Sequence, residues 1–350
     1  MFLKDFSFNL PKELIATNPV YPRDSSKLLV LKKFKLYEET LFSNLSNHLK
    51  DGDLVVLNNT KVNASKINGT KVNHNNSVGF TFISNINKGL WSCFALPGKK
   101  VKVGDSFIFN EVEGDVIKKD NETIYMDFKE NNSKFIKILN ENGKISLPPY
   151  ISKVREFNDD DNISYQTIYS EVNGSIAAPT AGLHFTDKIF DDLKSMNIGI
   201  EKITLNIGPG TFLPLRKNKI NDNKLHSEKI LISDDTAKRL NDVYLDKNRR
   251  IISIGTTTLR ALESSFDKEN LFKPYDDFTN IFIYPGKKIH SIDGLVTNFH
   301  LPESSLFLLI CSLIGTKTAL EMYKYAIEKQ FRFYSYGDAC FLLNQNYDWI

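Results

Sequence analysis

The stretch that decides the class of fold lies at residues 249–266 and reads RRIISIGTTTLRALESSF. Its isoleucine-rich first part is short and β-branched, which predicts a buried strand. Gly255 then allows a sharp turn, and the leucine and alanine spacing after it predicts a helix. A strand followed directly by a helix is the repeating unit of an α/β fold.

The same alternation continues on both sides of this unit. Strands are predicted at 200–208, 278–286 and 293–299, and helices at 186–199, 302–315 and 317–330. The first of these helices is expected to carry Met196 on its apolar face and to end at Gly199. The sequence therefore predicts an α/β domain with a mainly parallel or mixed sheet.

The segment from about 62 to 145 has a different texture. Short β-branched or aromatic runs are separated there by glycine, asparagine and aspartate: SVGFTFISNI, LWSCFALPG, KVGDSFIFN and TIYMDF. This spacing is typical of a small antiparallel barrel or sandwich. A helix is predicted at 133–143, with Gly143 as its C-cap. We expect residues 62–145 to form a β-barrel-like domain inserted into an α/β catalytic domain made of residues 1–61 and 146–350.

Composition narrows the class of protein. The 350 residues are enough for two domains, and 41% hydrophobic and 25% charged residues are typical of a globular chain. The net charge of +3 is short of the strong basicity that by itself indicates nucleic-acid binding. The cysteines, Cys93, Cys311 and Cys340, are far apart, which favours a reducing compartment and argues against a disulfide framework or a zinc site.

Neither the N-terminal segment nor the apolar runs predict a targeting signal. MFLKDFSFNLPKELIA lacks the pattern of a signal peptide. The longest apolar run, at 306–315, is about half of a membrane span and predicts a buried helix. We therefore expect a cytoplasmic protein that does not associate with membranes.

Four loops combine small residues with polar ones. They read AAPTAGLHFTD (177–187), NIGPGTF (206–212), GTTTLRALES (255–264) and TNFHLPESS (297–305). Each follows a predicted strand or precedes a predicted helix, and ligands of α/β sheets bind outside the carboxyl ends of strands. If the strands are neighbours, these loops should converge on one edge of the sheet and form a polar cleft.

The GTTTLRALES loop has two interpretations. Thr256, Thr257 and Thr258 can cap the next helix or bind a ligand through their hydroxyls, and a helix N-terminus favours an anion. Arg260 and Glu263 are three residues apart, so they share a helical face and can form an ion pair. A cap and a surface ion pair are the commoner meaning of such a motif when it stands alone.

Two further polar segments are ambiguous on their own. Gly208 and Gly210 lie in a glycine loop without the spacing of the known nucleotide-binding motifs, so a tight turn is the simpler explanation. The strand DLVVLN runs into Asn58, Asn59 and Lys61. Two amides and a cation suit recognition of a polar ligand, and they suit a hydrogen-bonded turn equally well.

Two histidines stand in similar small-residue loops. His184 and His300 are each flanked by aromatic or proline residues. A single histidine is more often a hydrogen-bonded structural residue than a catalyst, but two in similar loops strengthen the functional interpretation. His226 has Glu228 nearby, which could orient it, or the two could simply be part of a loop.

In combination, the loops carry a family resemblance. The following segments occur in the order found in the S-adenosylmethionine:tRNA ribosyltransferase-isomerase family: DFSFNLPKELIA, DLVVLNNTKV, LPPYI with YQTIYS, AAPTAGLHFT, GTTTLRALES, FIYPG, TNFHLPESS and FRFYSYGDA. The resemblance runs from about residue 1 to 343. Each motif is weak alone, and their ordered combination is specific.

The resemblance implies a reaction in queuosine biosynthesis. The ribosyl part of S-adenosylmethionine is transferred to, and isomerised on, 7-aminomethyl-7-deazaguanine at the tRNA wobble position. Epoxyqueuosine-tRNA forms, and adenine and methionine leave. The resemblance also implies an α/β domain with a β-barrel domain, a tRNA partner with a GUN anticodon, no metal and no cofactor besides S-adenosylmethionine as co-substrate. We expect a monomer.

The resemblance also gives candidate site residues. The attacking amine needs a general base and the departing adenine a proton donor, for which His184 and His300 are the candidates. Glu228 or Glu263 would place a carboxylate near the sulfonium. The expected substrate-binding residues are Thr180, Gly182, Gly208, Gly210, Thr211, Thr256, Thr257, Arg260, Asn298, Asn58, Asn59 and Lys61. The side chains of AAPTAGLHFT are then small because a nucleoside lies against this segment, and His184 faces that nucleoside.

Four positions depart from the family pattern. Lys61 and Lys27 stand where arginine is usual, which keeps the charge and loses a planar, bidentate contact. Asn206 replaces a histidine and cannot act as a base at neutral pH. Gly79 stands where a glutamate is expected.

Two other classes of protein compete with this one. An RNA methyltransferase using S-adenosylmethionine would release S-adenosylhomocysteine, but the sequence lacks a GxGxG-type donor loop after the first α/β strand. A non-catalytic tRNA-binding protein should carry more continuous basic tracts.

Overall fold

The structure is a computed structural model of the chain. It describes residues 1–32, 37–74, 76–120, 122–208, 210, 214–267, 269 and 271–344. The strands are β1 (Lys27–Leu31), β2 (Tyr37–Leu41), β3 (Leu54–Asn58), β4 (Thr60–Val62), β5 (Lys66–Lys71), β6 (Ser77–Asn87), β7 (Leu90–Leu96), β8 (Ser106–Phe109), β9 (Val112–Asp120), β10 (Thr123–Asp127), β11 (Val172–Ser175), β12 (Gly199–Leu205), β13 (Glu228–Ile232), β14 (Ile251–Ile254), β15 (Phe266–Asp267), β16 (Leu271–Phe272), β17 (Tyr275–Thr279), β18 (Gly294–Asn298) and β19 (Ala339–Leu343). The α-helices are α1 (Asn132–Asn142), α2 (Pro149–Ser152), α3 (Asp161–Ser164), α4 (Asp187–Ser195), α5 (Asp234–Leu245), α6 (Thr256–Ser265), α7 (Ser305–Ile314) and α8 (Thr316–Glu328).

A mixed nine-stranded sheet forms the larger part of the fold. Its strand order is β17-β13-β12-β3-β14-β18-β19-β1-β2. The central strands β12, β3, β14 and β18 are parallel to one another, and β13 and β19 flank them antiparallel. The strands β3, β14 and β18 are buried at every residue, which explains their continuous apolar sequences. The predicted mixed α/β fold is confirmed.

A closed antiparallel barrel is the second unit of the fold. Its strand order is β10-β7-β6-β5-β8-β9, and β9 pairs back to β10. Phenylalanines fill its interior, and α1 packs Phe135 against Phe128 with ring centroids 3.7 Å apart. Gly69 has no side chain because a Cβ there would lie 2.7 Å from the Phe109 ring. The predicted β-barrel is confirmed.

The two ends of the barrel segment lie side by side. Ser65 and Lys66 both donate backbone hydrogen bonds to the Lys144 carbonyl, at 3.1 and 2.9 Å. Chain entry and exit are therefore adjacent, as an insertion requires. The exact boundaries at 61/62 and 145/146 stay a prediction.

Three local predictions are wrong. The helix α4 ends at Ser195 and not at Gly199, because Asn197 adopts a left-handed φ of 55° that ends the helical path. Met196 is 36% exposed and lies outside the apolar face. The predicted strand at 278–286 ends at Thr279, because the Thr279 hydroxyl accepts the Ile281 N–H at 3.1 Å and turns the chain away from the ladder.

The last two α-helices carry the longest apolar run. Within the described residues, no single helix is long and apolar enough to cross a membrane. The helices α7 and α8 reach the required length and composition only together, with a bend of 114° between them.

Candidate active site

Loops from four parallel strands meet at one edge of the large sheet, called here the carboxyl edge. The strands β12, β3, β14 and β18 end there at Leu205, Asn58, Ile254 and Asn298. The expected convergence of the loops after β12, β14 and β18 is confirmed. AAPTAGLHFTD follows β11, which belongs to a separate two-stranded sheet, and reaches the same edge through a 3.0 Å hydrogen bond from Thr180 Oγ1 to Asn298 Oδ1.

A buried ion pair occupies the middle of this edge. Arg260, on α6, donates through Nη1 to Glu228 Oε2, and the other carboxylate oxygen accepts the Gly208 N–H at 3.1 Å. The side chains of Arg260 and Glu228 are 7% and 3% exposed. Asn58 Nδ2 reaches Thr257 Oγ1 at 3.4 Å. We call Asn58, Gly208, Gly210, Glu228, Thr257 and Arg260 the arginine cluster.

Two cavities adjoin the arginine cluster. A small one of about 30 Å³ is lined by Thr257, Arg260, Glu228 and apolar side chains. A cleft of about 420 Å³ lies between the barrel and the loop before β13, with Phe94 and Thr123 on its barrel side. Both cavities are lined by Gly210, Leu225 and His226. The cleft is of the size of a small-molecule site, and the smaller cavity adjoins it.

A second group of predicted residues lies under the AAPTAGLHFTD loop. His184 Nδ1 is 2.8 Å from Ser26 Oγ, and His184 Nε2 is 3.2 Å from Asn298 Nδ2. Its ring stacks on Phe42 with centroids 4.8 Å apart. Burial, with a smaller effect from the Arg332 and Arg23 charges, lowers the pKa of His184 to about 3. We call Thr180, Gly182, His184 and Asn298 the histidine cluster.

The surroundings of His184 differ from the expected ones, in which the ring faces a bound ligand. The imidazole is neutral at pH 7, both of its nitrogens have protein partners, and the residue is 5% exposed. It therefore packs inside the protein and does not face an open ligand site. The role of His184 as a proton carrier stays a prediction.

The small residues of the loop have a packing explanation. A Cβ at Gly182 would lie 1.9 Å from the Tyr169 hydroxyl, and a Cβ at Gly255 would meet Ala181 at 3.6 Å. The loop is small because Tyr169 and the start of α6 press against it. The expected ligand contact of Gly182 stays a prediction.

His300 and Glu263 are both held by protein groups. Thr297 Oγ1 lies 3.1 Å from His300 Nε2, and burial lowers the pKa of His300 to about 3. The Glu263 carboxylate accepts hydrogen bonds from the Ser291 hydroxyl at 2.6 Å and from the backbone N–H groups of His290 and Ser291. Glu263 therefore fixes the loop before β18, away from the arginine cluster.

Two expectations for α6 are wrong: the ion pair of Arg260 with Glu263, and the helix cap formed by threonines. Arg260 pairs with Glu228, 32 residues away in sequence, and not with Glu263. The threonines do not cap the helix: Gly255 is the N-cap, Thr256 and Thr257 lie inside α6, and Thr258 Oγ1 donates to the Ile254 carbonyl at 2.7 Å. The left-handed φ of 89° at Gly255 makes the sharp turn that places them there.

The remaining predicted residues lie farther out. The Asn59 side chain bonds Glu171 at 3.0 Å and Thr204 at 2.7 Å, and among the described residues it makes no hydrogen bond to either cluster. Lys61 is exposed and lines a separate cavity beside the barrel. Thr211 lies outside the described residues, so its expected role stays a prediction.

The departures from the family pattern have local partners. Lys27 Nζ donates to the carbonyls of Lys329 and Gln330 just beyond α8, so it caps a helix end. Asn206 Oδ1 accepts from Thr60 Oγ1 at 3.0 Å. A Cβ at Gly79 would make ordinary contacts only, at 3.4 Å or more.

Within the described residues, no group of three or more His, Cys, Asp or Glu side chains could hold a metal ion. The expectation that the reaction needs no metal or further cofactor stays a prediction.

Sequence comparison identifies the family. A family model described as "Queuosine biosynthesis protein" matches residues 3–342. The chain belongs to this queuosine biosynthesis family. A relative from Halothermothrix orenii, named S-adenosylmethionine:tRNA ribosyltransferase-isomerase, is 40% identical over 98% of this chain and 100% of its own length. A Rickettsia bellii protein of the same name is 43% identical over 98% of this chain and 99% of its own length.

Comparison with solved structures agrees with the family identified from the sequence. The crystal structure of S-adenosylmethionine tRNA ribosyltransferase from Thermotoga maritima covers 97% of this chain and 100% of its own, at 28% identity and a TM-score of 0.55. The resemblance seen in the motifs is therefore confirmed as membership of the queuosine biosynthesis family. What the motifs did not reveal is the pairing of Arg260 with Glu228, because residues from separate elements give no sequence signal of contact.

Proposed function

We propose that this protein is an S-adenosylmethionine:tRNA ribosyltransferase-isomerase that acts in queuosine biosynthesis. Its substrates are S-adenosylmethionine and tRNA. The aminomethyl nitrogen of the modified base forms a bond to a ribosyl carbon, and the bonds from the ribose to sulfur and to adenine break. Methionine leaves as a neutral thioether with the electron pair of the carbon–sulfur bond. The proton lost by the amine balances the one that adenine takes up, and a second proton, lost from the ribosyl carbon that bore sulfur, balances the sulfonium charge. The ribosyl group is isomerised on the tRNA: its ring oxygen leaves the carbon that bore adenine and forms the epoxide at the carbon that bore sulfur, and a bond between these two carbons closes the ring.

The full-length match to relatives of that name carries this conclusion. The geometry supports it, because the motif loops build a polar edge beside a cleft of nucleoside size. Neither a methyltransferase nor a non-catalytic tRNA-binding protein has a specific observation in its favour.

The roles of single residues belong to the proposal. The arginine cluster is proposed to bind S-adenosylmethionine, with Glu228 as the carboxylate on the donor side. The low pKa values of His184 and His300 make them weak bases near neutral pH. Of the proposed catalytic groups, Glu228 alone lines a cavity that adjoins the cleft.

Finer features are also proposed. The tRNA has a GUN anticodon with 7-aminomethyl-7-deazaguanine at the wobble position, the protein works as a monomer in the cytoplasm, and S-adenosylmethionine is a co-substrate with no further cofactor. The tRNA backbone would reach the exposed Lys61 beside the barrel.

Product analysis tests the function. Purified protein is incubated with S-adenosylmethionine and tRNA carrying the aminomethyl-deazaguanine base, and the products are examined by mass spectrometry. Free adenine and methionine, with a matching epoxide-bearing mass gain on the tRNA, are expected. Release of S-adenosylhomocysteine would instead identify a methyltransferase, and tight tRNA binding without turnover would identify a binding protein.

A further inference from the structure

Arg260 has a hydrogen-bond donor that the fold leaves unused. Its Nη1 donates to Glu228, and its Nε is 3.4 Å from the Ile281 carbonyl. Its Nη2 is buried and has no hydrogen-bond partner among the described residues. A buried, charged donor without a partner is costly to a fold, and such groups are retained where a ligand completes them.

The small cavity beside Arg260 suits part of a ligand. Its volume of about 30 Å³ holds about two water-sized groups. Beside Gly210 and the polar lining residues, the cavity has an apolar wall: Leu225, Phe282, Ile283, Leu306 and Leu309. A group with two small acceptor atoms next to an aliphatic chain fits this mixture, and a nucleobase does not.

Two helix N-termini also meet at this cavity. Thr257 belongs to the first turn of α6, and Ser305 and Leu306 belong to the first turn of α7. Each N-terminus is equivalent to about half a positive charge. Glu228 balances the charge of Arg260, so the two helices supply the positive potential for one further anion.

We propose that this cavity binds the α-carboxylate of the methionyl group of S-adenosylmethionine, with Arg260 Nη2 as its donor. The inference rests on the proposed function. The methylene and thioether groups pack on Leu225, which lines both the cavity and the cleft, and the nucleoside extends past Gly210 and His226 into the cleft. A phosphate of the RNA chain has the same sign of charge but four oxygens, which is more than the cavity holds.

Glu228 acts on this site as a positioning residue. It holds Nη1, and its second oxygen is fixed by the Gly208 N–H. The guanidinium plane is thereby oriented with Nη2 directed to the remaining space. This explains why Arg260 pairs with a residue of β13 and not with Glu263 on its own helix.

The test compares S-adenosylmethionine with decarboxylated S-adenosylmethionine as donor, at saturating acceptor tRNA. Wild-type kcat/KM should favour the carboxylated donor by about 10–100-fold. Arg260→Gln should lower kcat/KM for S-adenosylmethionine by about 10–100-fold more than it lowers kcat/KM for the decarboxylated donor, so that the ratio of the two values falls to near one. Arg260→Lys keeps the charge but lacks the planar guanidinium, so its ratio of kcat/KM between the two donors should be intermediate.

Arg239→Gln is the matched control. Arg239 pairs with Glu201 in another arginine–glutamate contact, near the amino end of β12. Its loss should not change the ratio between the two donors. If Arg260→Gln lowers kcat/KM equally for both donors, Arg260 has a purely structural role. If it raises the KM for tRNA and leaves the ratio of kcat/KM between the two donors unchanged, Arg260 contacts a phosphate of the tRNA. Either result overturns the inference.

The wild-type ratio needs no variant, so the inference is open to refutation even if Arg260→Gln does not fold. A wild-type protein that turns over both donors with a ratio near one refutes the carboxylate site and leaves the proposed function intact. A wild-type protein that releases no adenine refutes the proposed function, and the inference with it.

Discussion

Two buried arginine–carboxylate pairs lie at opposite edges of the same sheet, and they differ in how their donors are used. At the amino ends of β3 and β14, Arg250 contacts Asp53 through Nε at 3.0 Å and Nη2 at 2.5 Å, and Nη2 also reaches the His48 carbonyl at 3.3 Å. At the carboxyl edge, Arg260 contacts Glu228 through Nη1 only, and Nη2 lacks a partner among the described residues. In the first pair the Arg250 donors contact protein groups, whereas in the second pair Arg260 keeps one donor that a ligand can use.

The largest expected effect on stability comes from breaking the Arg250–Asp53 pair. Arg250→Ala leaves Asp53, which is fully buried, without its cation. Removing one partner of a buried pair costs about 3–5 kcal/mol, so the free energy of unfolding should fall by that amount in urea titrations. The ratio of kcat/KM for S-adenosylmethionine to that for its decarboxylated form should not move. A changed ratio in folded protein would remove the distinction between the two edges.

A smaller effect is expected in the histidine cluster. Gly182→Ala places a methyl group 1.9 Å from the Tyr169 hydroxyl. Overpacking of this kind costs about 1–3 kcal/mol of stability. Thermal unfolding of Gly182→Ala, Tyr169→Phe and the double variant measures it, and Tyr169→Phe should recover part of the loss. An unchanged stability with a raised KM for S-adenosylmethionine would instead show that the loop is small for the ligand.

The acid side of the stability profile should depend on the two buried histidines. Burial lowers the pKa values of His184 and His300 to about 3, so the unfolded chain takes up protons near pH 6.5 that the folded protein does not. Stability is therefore complete above about pH 6.5 and is lost as the pH falls towards 3.

Between pH 7 and 5.5 the loss should be about 1 kcal/mol for each histidine. Urea titrations at both pH values, on the wild type and on His184→Gln and His300→Gln, measure it. Each variant should show a correspondingly smaller pH dependence. A wild-type stability that is flat from pH 7 to 5.5 would refute the buried neutral state.

The smallest effect is expected at Lys27. Its ammonium caps the carbonyls beyond α8 and lies 5.0 Å from the Phe331 ring centroid. Arginine supplies the same charge and more donors, so Lys27→Arg should change the free energy of unfolding by less than about 0.5 kcal/mol. Its kcat/KM for both donors should equal that of the wild type. A gain in kcat/KM would instead place this departure from the family pattern at the active site.

Periodicity predicted the layers of this fold better than its contacts. The strands and helices around 249–266 were predictable, because each carries its own apolar period. The strand expected at 278–286 failed, because Thr279 turns the chain by a side-chain hydrogen bond that periodicity does not encode.

The candidate site was predictable as a set of loops but not as a set of partners. Parallel strands bring their carboxyl ends together, which was enough to assemble Asn58, Gly208 and Thr257. The pairing of Arg260 with Glu228 depends on β13 lying next to β12, and the small residues of AAPTAGLHFTD depend on Tyr169. Both are contacts between distant segments, for which one sequence holds no signal.

Hydrogen exchange of the protein with tRNA, in the presence and absence of saturating S-adenosylmethionine, tests the central claim most directly. A tRNA with unmodified guanine at the wobble position prevents turnover during the measurement. The account predicts slower exchange in the segments 226–230, 256–262 and 305–309, and unchanged exchange in 49–53 and 249–252. Protection confined to 49–53 and 249–252 would contradict it, because the donor would then bind at the amino edge of the sheet.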